Sequence, residues 1–224
     1  MSAASVHHPI FARVFDRLIR LMERGAAEHR RDLLAGLSGR VLELGIGNGM
    51  NFQHYPATVR EVVAVEPEPY LRGKAEQAAR RAPVPVTVRD GRAEHLPLED
   101  RSFDAAVASL VLCSVRDQER SLAELRRVLE PGGDLRFFEH VRSTRRHKAG
   151  LQQRLDRWGI WPSIAGGCHS ARDTVGAIAA AGFAIEHVRE FHLAPEWSII
   201  DPHVLGIARS APTGVSAATL SSAS

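Results

Sequence analysis

Gly45, Gly47 and Gly49 stand at alternate positions directly after the apolar run 41–44, and their spacing is the plainest chemical signal in the sequence. A strand, a glycine-rich loop and a helix in that order carry backbone N–H groups up to a bound molecule at places where a Cβ would collide. The bare Gly-x-Gly-x-Gly spacing also occurs in dinucleotide sites and in purely structural tight turns. Two carboxylates narrow the reading. Glu43 lies two residues before the first glycine. A negative charge there suits a ligand ammonium and repels a pyrophosphate. Glu66 follows Gly49 by 17 residues, at the end of the second apolar run. A carboxylate at that place accepts hydrogen bonds from two ribose hydroxyls, which fits a dinucleotide equally well. Asn48 in the loop and Pro67 after Glu66 belong to the same expected binding surface.

These residues need a scaffold, and the hydrophobic pattern supplies one. Two helices are predicted between residues 9 and 37, with Ile10, Val14, Leu18, Leu21 and Met22 on one stripe and Leu33, Leu34 and Leu37 on another. Strands follow at 41–44, 61–65, 84–88, 103–109 and 134–139, separated by helices at 69–81 and 117–129. Pro131-Gly132-Gly133 reads as a helix stop and turn before the fifth strand. A polar and basic connection then leads to a helix at 171–181, ended by Gly182, and to two further strands at 184–189 and 199–208 that form an antiparallel closing hairpin. Alternation of this kind predicts an α/β fold: a doubly wound, mostly parallel seven-stranded sheet with helices on both faces. Residues 1–210 form one domain in this reading, with N-terminal lid helices at 1–38, a binding core at 39–140 and a cap with the closing hairpin at 141–210. The Ser-, Ala- and Thr-rich stretch 211–224 is expected to be a disordered tail.

Charge and cysteine usage exclude several function classes. The 29 Lys and Arg nearly balance 26 Asp and Glu, leaving a net charge of +3. That field is too weak to argue for nucleic acid, and the basic stretch 142–148 reads as solvated surface. Cys113 and Cys168, 55 positions apart, make neither a disulfide framework nor a zinc spacing. They are expected as free thiols in a reducing compartment, Cys113 serving as packing, and no metal is expected. The longest apolar run, 105–115, is too short to cross a bilayer. A cytoplasmic protein follows, either monomer or homodimer.

Past the third strand, Gly91-Arg92-Ala93-Glu94-His95-Leu96-Pro97 and then Arg101-Ser102-Phe103-Asp104 join the glycine loop in a pattern that resembles the class I S-adenosylmethionine-dependent methyltransferases. The resemblance implies a Rossmann-like fold and S-adenosyl-L-methionine as cofactor, with Glu43 facing its ammonium and Glu66 its ribose. It also implies that the loop after the third strand cradles the adenine. Arg92 occupies the place where the family usually has Asp, which leaves Ala93 and Glu94 as the adenine-side candidates. Leu110, just past the fourth strand, is implied near the sulfonium. Phe15-Asp16 resembles the Tyr-Asp pair on the family's lid helix, so Phe15 is implied over the methionine end.

Leu110-Val111-Leu112-Cys113-Ser114-Val115, Gln118-Glu119-Arg120, the run from Arg127 to Gly133, Glu139-His140-Val141 and Pro202-His203-Val204-Leu205-Gly206 are more specific. Together they resemble the alkyl-thiol S-methyltransferases of the methyltransferase-like seven group, of which this would be a soluble version lacking the membrane anchor. That resemblance implies methylation of small apolar thiols. A thiolate is already a strong nucleophile, so such an enzyme must mainly align it with the methyl group and exclude water. His140, His203 and His169 are the candidate proton acceptors, and Trp158, Trp161 and Trp197 are expected to cover the acceptor side. Two rival readings stay open: methylation of an oxygen, nitrogen or carbon of a phenolic or quinone-like metabolite, and a non-catalytic S-adenosylmethionine-binding protein.

Overall fold

The computed structural model describes residues 25–193, 195 and 197–210. The first predicted helix, Phe15 and the expected tail at 211–224 lie outside the described residues. Helix α1 covers residues 25–34. The chain then runs through β1 (Gly39–Leu44), a short 3-10 turn (Phe52–His54), β2 (Val59–Val65), α2 (Pro69–Ala79), β3 (Val86–Arg89), β4 (Phe103–Ser109), α3 (Gln118–Val128) and β5 (Leu129–His140). Helices α4 (Arg146–Arg157), α5 (Ile160–Ile164) and α6 (Thr174–Ala180) precede β6 (Phe183–Phe191) and β7 (His203–Ser210).

Strand order is β3-β2-β1-β4-β5-β7-β6. The first five strands pair in parallel, and β7 runs antiparallel to both β5 and β6. The expected doubly wound seven-stranded sheet is therefore present, with β7 inserted between β5 and β6. The order of the strands reverses between β1 and β4, and the crevice at such a switch point, beyond the carboxyl ends of the strands, is where open α/β sheets hold ligands.

Side-chain alternation sets up two cores. Leu42, Leu44, Val63, Val65, Ala106 and Ala108 face one side, where they pack with Leu122, Leu125 and Val128 of α3 and Ile178 of α6. Val41, Val62, Ala64, Ala105 and Val107 face the other, against Leu33 and Leu34 of α1 and Ala75 of α2. Strands covered on both faces read as continuous apolar runs, which is why β1, β2 and β4 were legible without an alternating pattern. Helix starts are fixed by carboxylates: Asp117 accepts from Arg120 N, Asp173 from Gly176 N, and Glu68 from Leu71 N ahead of Pro69.

The structure departs from expectation in four places, the first being the closing strand expected at 199–208, which begins only at His203. Pro131-Gly132-Gly133 lies inside β5 as an irregularity, where Phe103 pairs with Leu129 but Ala105 pairs with Asp134. A Cβ on Gly133 would meet the carbonyl oxygens of Asp104 and Glu130 at 3.0 Å, so glycine there admits the close backbone approach. The polar connection after β5 contains two helices. Helix α4 was not legible because it buries only Gln152, which accepts from Ser143 N and donates to the Ile199 carbonyl. Finally, α6 starts at Thr174 because Asp173 caps it.

Gly206 sits in β7, where an added Cβ would lie 2.3 Å from Phe137 Cζ and 2.6 Å from the His187 carbonyl oxygen. Gly206→Ala should destabilise the fold by about 1–3 kcal/mol, as overpacking does. Gly150→Ala, in α4 with open space around it, should be neutral or stabilising by up to about 1 kcal/mol. Urea denaturation of the two variants checks the contrast.

Candidate active site

Three glutamates at the carboxyl ends of the strands organise the crevice. Glu43, in the penultimate position of β1, is buried and accepts from Asn51 Nδ2 at 2.7 Å and from the Tyr55 hydroxyl at 2.9 Å. Arg30 of α1 donates to Asn51 Oδ1 at 2.7 Å, extending the network to the N-terminal side. Burial raises the Glu43 carboxyl to about 7, against the opposing pull of those two hydrogen bonds and of Arg30. Each oxygen thus already has one protein partner and keeps a second lone-pair direction.

Glu66, immediately after β2, accepts from Gly47 N at 2.8 Å and from Glu68 N at 3.0 Å. It ties the glycine loop to the end of the second strand. Burial raises it too, to about 7, opposed by those backbone donors and by Arg72. The three loop glycines have different reasons to be glycine. All three adopt positive φ. A Cβ on Gly45 would strike Val111 and one on Gly49 would strike the Phe52 ring, whereas one on Gly47 would meet nothing within 4 Å. Gly45 and Gly49 permit internal packing, and Gly47 faces open space, as expected of a position kept clear for a ligand. Asn48 is buried beside it, and Pro67 offers its carbonyl to Arg72.

The third glutamate was given no role from sequence. Glu139, fully buried near the end of β5, accepts from Val111 N at 2.9 Å, Leu112 N at 2.8 Å and Cys113 N at 3.3 Å. This carboxylate shapes the turn after β4, and burial raises its pKa against the pull of those donors. Leu110 enters that turn with φ +55°, a left-handed conformation unusual for leucine, and its N–H donates to the Phe138 carbonyl at 2.7 Å. It is half-buried at the β1/β4 switch point.

On the far side of the crevice, Ala93 is buried, and the Glu94 carboxylate accepts from Arg116 N at 2.8 Å. Glu94 thereby fastens the loop after β3 to the approach to α3. Phe15 falls outside the described residues. The structure thus brings Glu43, Gly45, Gly47, Asn48, Gly49, Glu66, Pro67 and Leu110 to one end of the sheet, with Ala93 and Glu94 on the neighbouring loop.

The three histidines occupy different settings. His140 and His203 are a register pair at the ends of β5 and β7, with ring centroids 6.2 Å apart. Both are closed in. His140 Nε2 contacts Cys168 Sγ at 2.8 Å, and His203 Nδ1 lies 3.8 Å from Asp201 Oδ1. Burial, with His140 nearby, lowers His203 to about 4. The His169 side chain is 37% exposed and lies on the loop after α5, where the His169 backbone N–H donates to the Cys113 carbonyl. Burial and then Arg172 lower its pKa. Among the three, His169 alone is not buried. Trp161 is half-buried and donates to Cys168 Sγ, while Trp158 and Trp197 are exposed and cover little.

Chain spacing gave no reason to group the cysteines, but the fold brings Cys113, His140 and Cys168 together, with their ligand atoms within 4.8 Å of one another. These donors come from the turn after β4, the end of β5 and the loop after α5, so the fold groups side chains that the 55-residue spacing of the cysteines leaves apart. The hydrogen bond with Cys113 and burial push the Cys168 thiol well above its ordinary value. No helix among the described residues is long and apolar enough to cross a membrane.

A family model described as a methyltransferase domain matches residues 42–137. The chain is 37% identical over 179 residues to thiol S-methyltransferase TMT1B of Rattus norvegicus, covering 77% of this chain and 72% of that protein. Demethylmenaquinone methyltransferase of Thermobifida fusca is 35% identical over 131 residues, 56% of each chain. Among solved structures, N-methyltransferase NodS of Bradyrhizobium japonicum with S-adenosyl-L-homocysteine has a TM-score of 0.62 at 17% identity, covering 84% of this chain and 85% of that one. At that identity the likeness is one of fold.

The raised Glu66 carboxyl makes a signed prediction for the ligand-free protein. Its folded-state pKa of about 7 exceeds the ordinary 4.5, so the fold favours the protonated form. Its contribution should be greatest below about 4.5 and should fall as pH rises through 7, by up to about 3 kcal/mol. Wild type should therefore lose stability relative to Glu66→Gln between pH 5 and pH 8. Parallel pH profiles in denaturant titrations would contradict this.

Proposed function

Because the chain belongs to the class I S-adenosylmethionine-dependent methyltransferases, we propose that it methylates the sulfur of small, apolar thiols. The single observation that supports this acceptor most is the 37% identity to a thiol S-methyltransferase, sustained over 72% of that protein's length.

The residues of the crevice fit the cofactor. Glu66 has lone pairs left for ribose hydroxyls after accepting from Gly47 and Glu68, and Glu43 supplies a carboxylate beside the loop for an ammonium. Gly47 leaves clear the space that a side chain would fill. Asn48, Gly45, Gly49 and Pro67 complete this wall, Ala93 and Glu94 stand on the adenine side, and Leu110 adjoins the reacting end. When bound, S-adenosyl-L-methionine supplies an electrophilic methyl group on a sulfonium.

The protein's own part is alignment and the exclusion of water. The turn that Glu139 organises sets Leu110 and Val111 at the crevice as apolar surface. A thiolate is a strong nucleophile while the neutral thiol is not, so the side chains around the acceptor need only favour loss of the thiol proton and hold the sulfur in line. Of His140, His203 and His169, the last is the exposed one and is the proton acceptor this reading favours, whereas the other two are buried at the ends of β5 and β7.

A second reading, carbon methylation of a quinone-like ring, draws on the demethylmenaquinone methyltransferase, whose similarity is confined to 56% of each chain. Incubation with methyl-labelled S-adenosyl-L-methionine and a panel of alkyl thiols, naphthoquinols and amines separates the two. Labelled thioether is the expected product, and label found only on the quinol ring would overturn the thiol assignment.

A further inference from the structure

We propose that Cys113 Sγ, Cys168 Sγ and His140 Nε2 form a binding site for a thiophilic divalent cation of the zinc type. The three donors belong to segments far apart in the chain and lie within 4.8 Å of one another, all buried. Two thiolate sulfurs and an imidazole nitrogen are a zinc donor set. Tetrahedral coordination at about 2.3 Å for sulfur and 2.0–2.1 Å for nitrogen requires donors to stand roughly 3.5–3.8 Å apart. The present spacing, including 2.8 Å between His140 Nε2 and Cys168 Sγ, meets that requirement after shifts of about 1 Å.

The surroundings favour the same ligand. Trp161 donates its indole N–H to Cys168 Sγ at 3.3 Å, the outer hydrogen bond that an anionic sulfur uses. Indole nitrogen has no acceptor capacity, so the sulfur is the electron-rich partner. Cys168 follows Gly166 and Gly167, both at positive φ, in a turn fastened by His169 N to the Cys113 carbonyl at 2.8 Å. Arg172 donates to the Val115 carbonyl at 2.6 Å and to that of Leu112, clamping the turn that carries Cys113. Hydrogen bonds on both sides thus hold the segments that carry the donors next to one another before any ion arrives, leaving only small side-chain shifts to coordination. Two thiolates and a divalent cation sum to zero charge, which a buried site tolerates far better than an isolated ion. Three protein donors leave a fourth position for water or another small ligand.

Binding of this kind would latch the loop after α5 to the ends of β4 and β5, a role separate from methyl transfer and independent of the acceptor. Ion uptake exchanges the two thiol protons for two metal–sulfur bonds and needs no oxidant.

The test uses the full chain, stripped with a chelator and reduced, with both thiols confirmed free by thiol titration. Zinc is then titrated in competition with a chromogenic chelator, and cobalt is added separately as a spectroscopic probe. One equivalent of zinc should bind, and cobalt should show thiolate-to-metal charge-transfer absorption. Cys168→Ser and His140→Ala should each weaken binding by more than about a hundredfold, and Trp161→Phe by about tenfold. Trp161→Phe keeps every ligand, so it remains informative if a ligand variant fails to fold. Stoichiometric zinc missing from the reduced, folded wild type would overturn the proposal, as would uptake unchanged in both ligand variants or cobalt spectra without a thiolate band.

Discussion

Backbone N–H groups at the carboxyl end of a parallel sheet have no strand partner once the chain turns away, and a buried loop must satisfy them. In this protein buried glutamates do so at two strand ends. Glu66 takes the N–H groups of Gly47 and Glu68, and Glu139 takes those of residues 111–113. Glu43 applies the same device to side chains, holding Asn51 and Tyr55. The carboxylates sit where burial opposes their charge, and Glu43 and Glu66 are consequently raised to about 7. Donors from the loops offset that burial, so loop conformation and carboxylate charge depend on one another.

The consequences run across the crevice. The turn fixed by Glu139 sets Val111 against the glycine loop, where only a glycine at position 45 leaves room for it. The same turn carries Leu110 in its left-handed conformation and presents Cys113 to His140 and Cys168. The glycine loop, Leu110 and the cysteine cluster therefore all lean on the turn that Glu139 holds, the first through packing and the others through the backbone. Such coupling gives each side chain little freedom, as a reaction that depends on alignment requires.

Much of this was legible in the sequence for physical reasons. Strands β1, β2 and β4 are buried on both faces, so their apolar runs stand out, and the glycines of the loop mark backbone that no other residue follows easily. Glu43 and Glu66 are legible through their spacing from the glycines, which puts one carboxylate where it suits an ammonium and the other where it suits two ribose hydroxyls. Glu139 has no glycine loop beside it in the sequence, so nothing in its spacing announces that its carboxylate holds the turn at 111–113. Helix α4 was missed because polar bonds from Gln152 and Asp156 hold its neighbours, and such bonds leave no periodic trace. The cluster of Cys113, His140 and Cys168 was beyond reach because three separate segments build it.

Methyl transfer by this protein requires that S-adenosyl-L-methionine sit in the crevice organised by these carboxylates. Calorimetric titration of the wild type and of Gly47→Val with S-adenosyl-L-homocysteine tests this directly, with circular dichroism to confirm that both are folded. The wild type should bind one equivalent, and a valine projecting into the open space at Gly47 should weaken binding by more than about a hundredfold, or about 3 kcal/mol. Equal affinity in the two folded proteins would contradict the account.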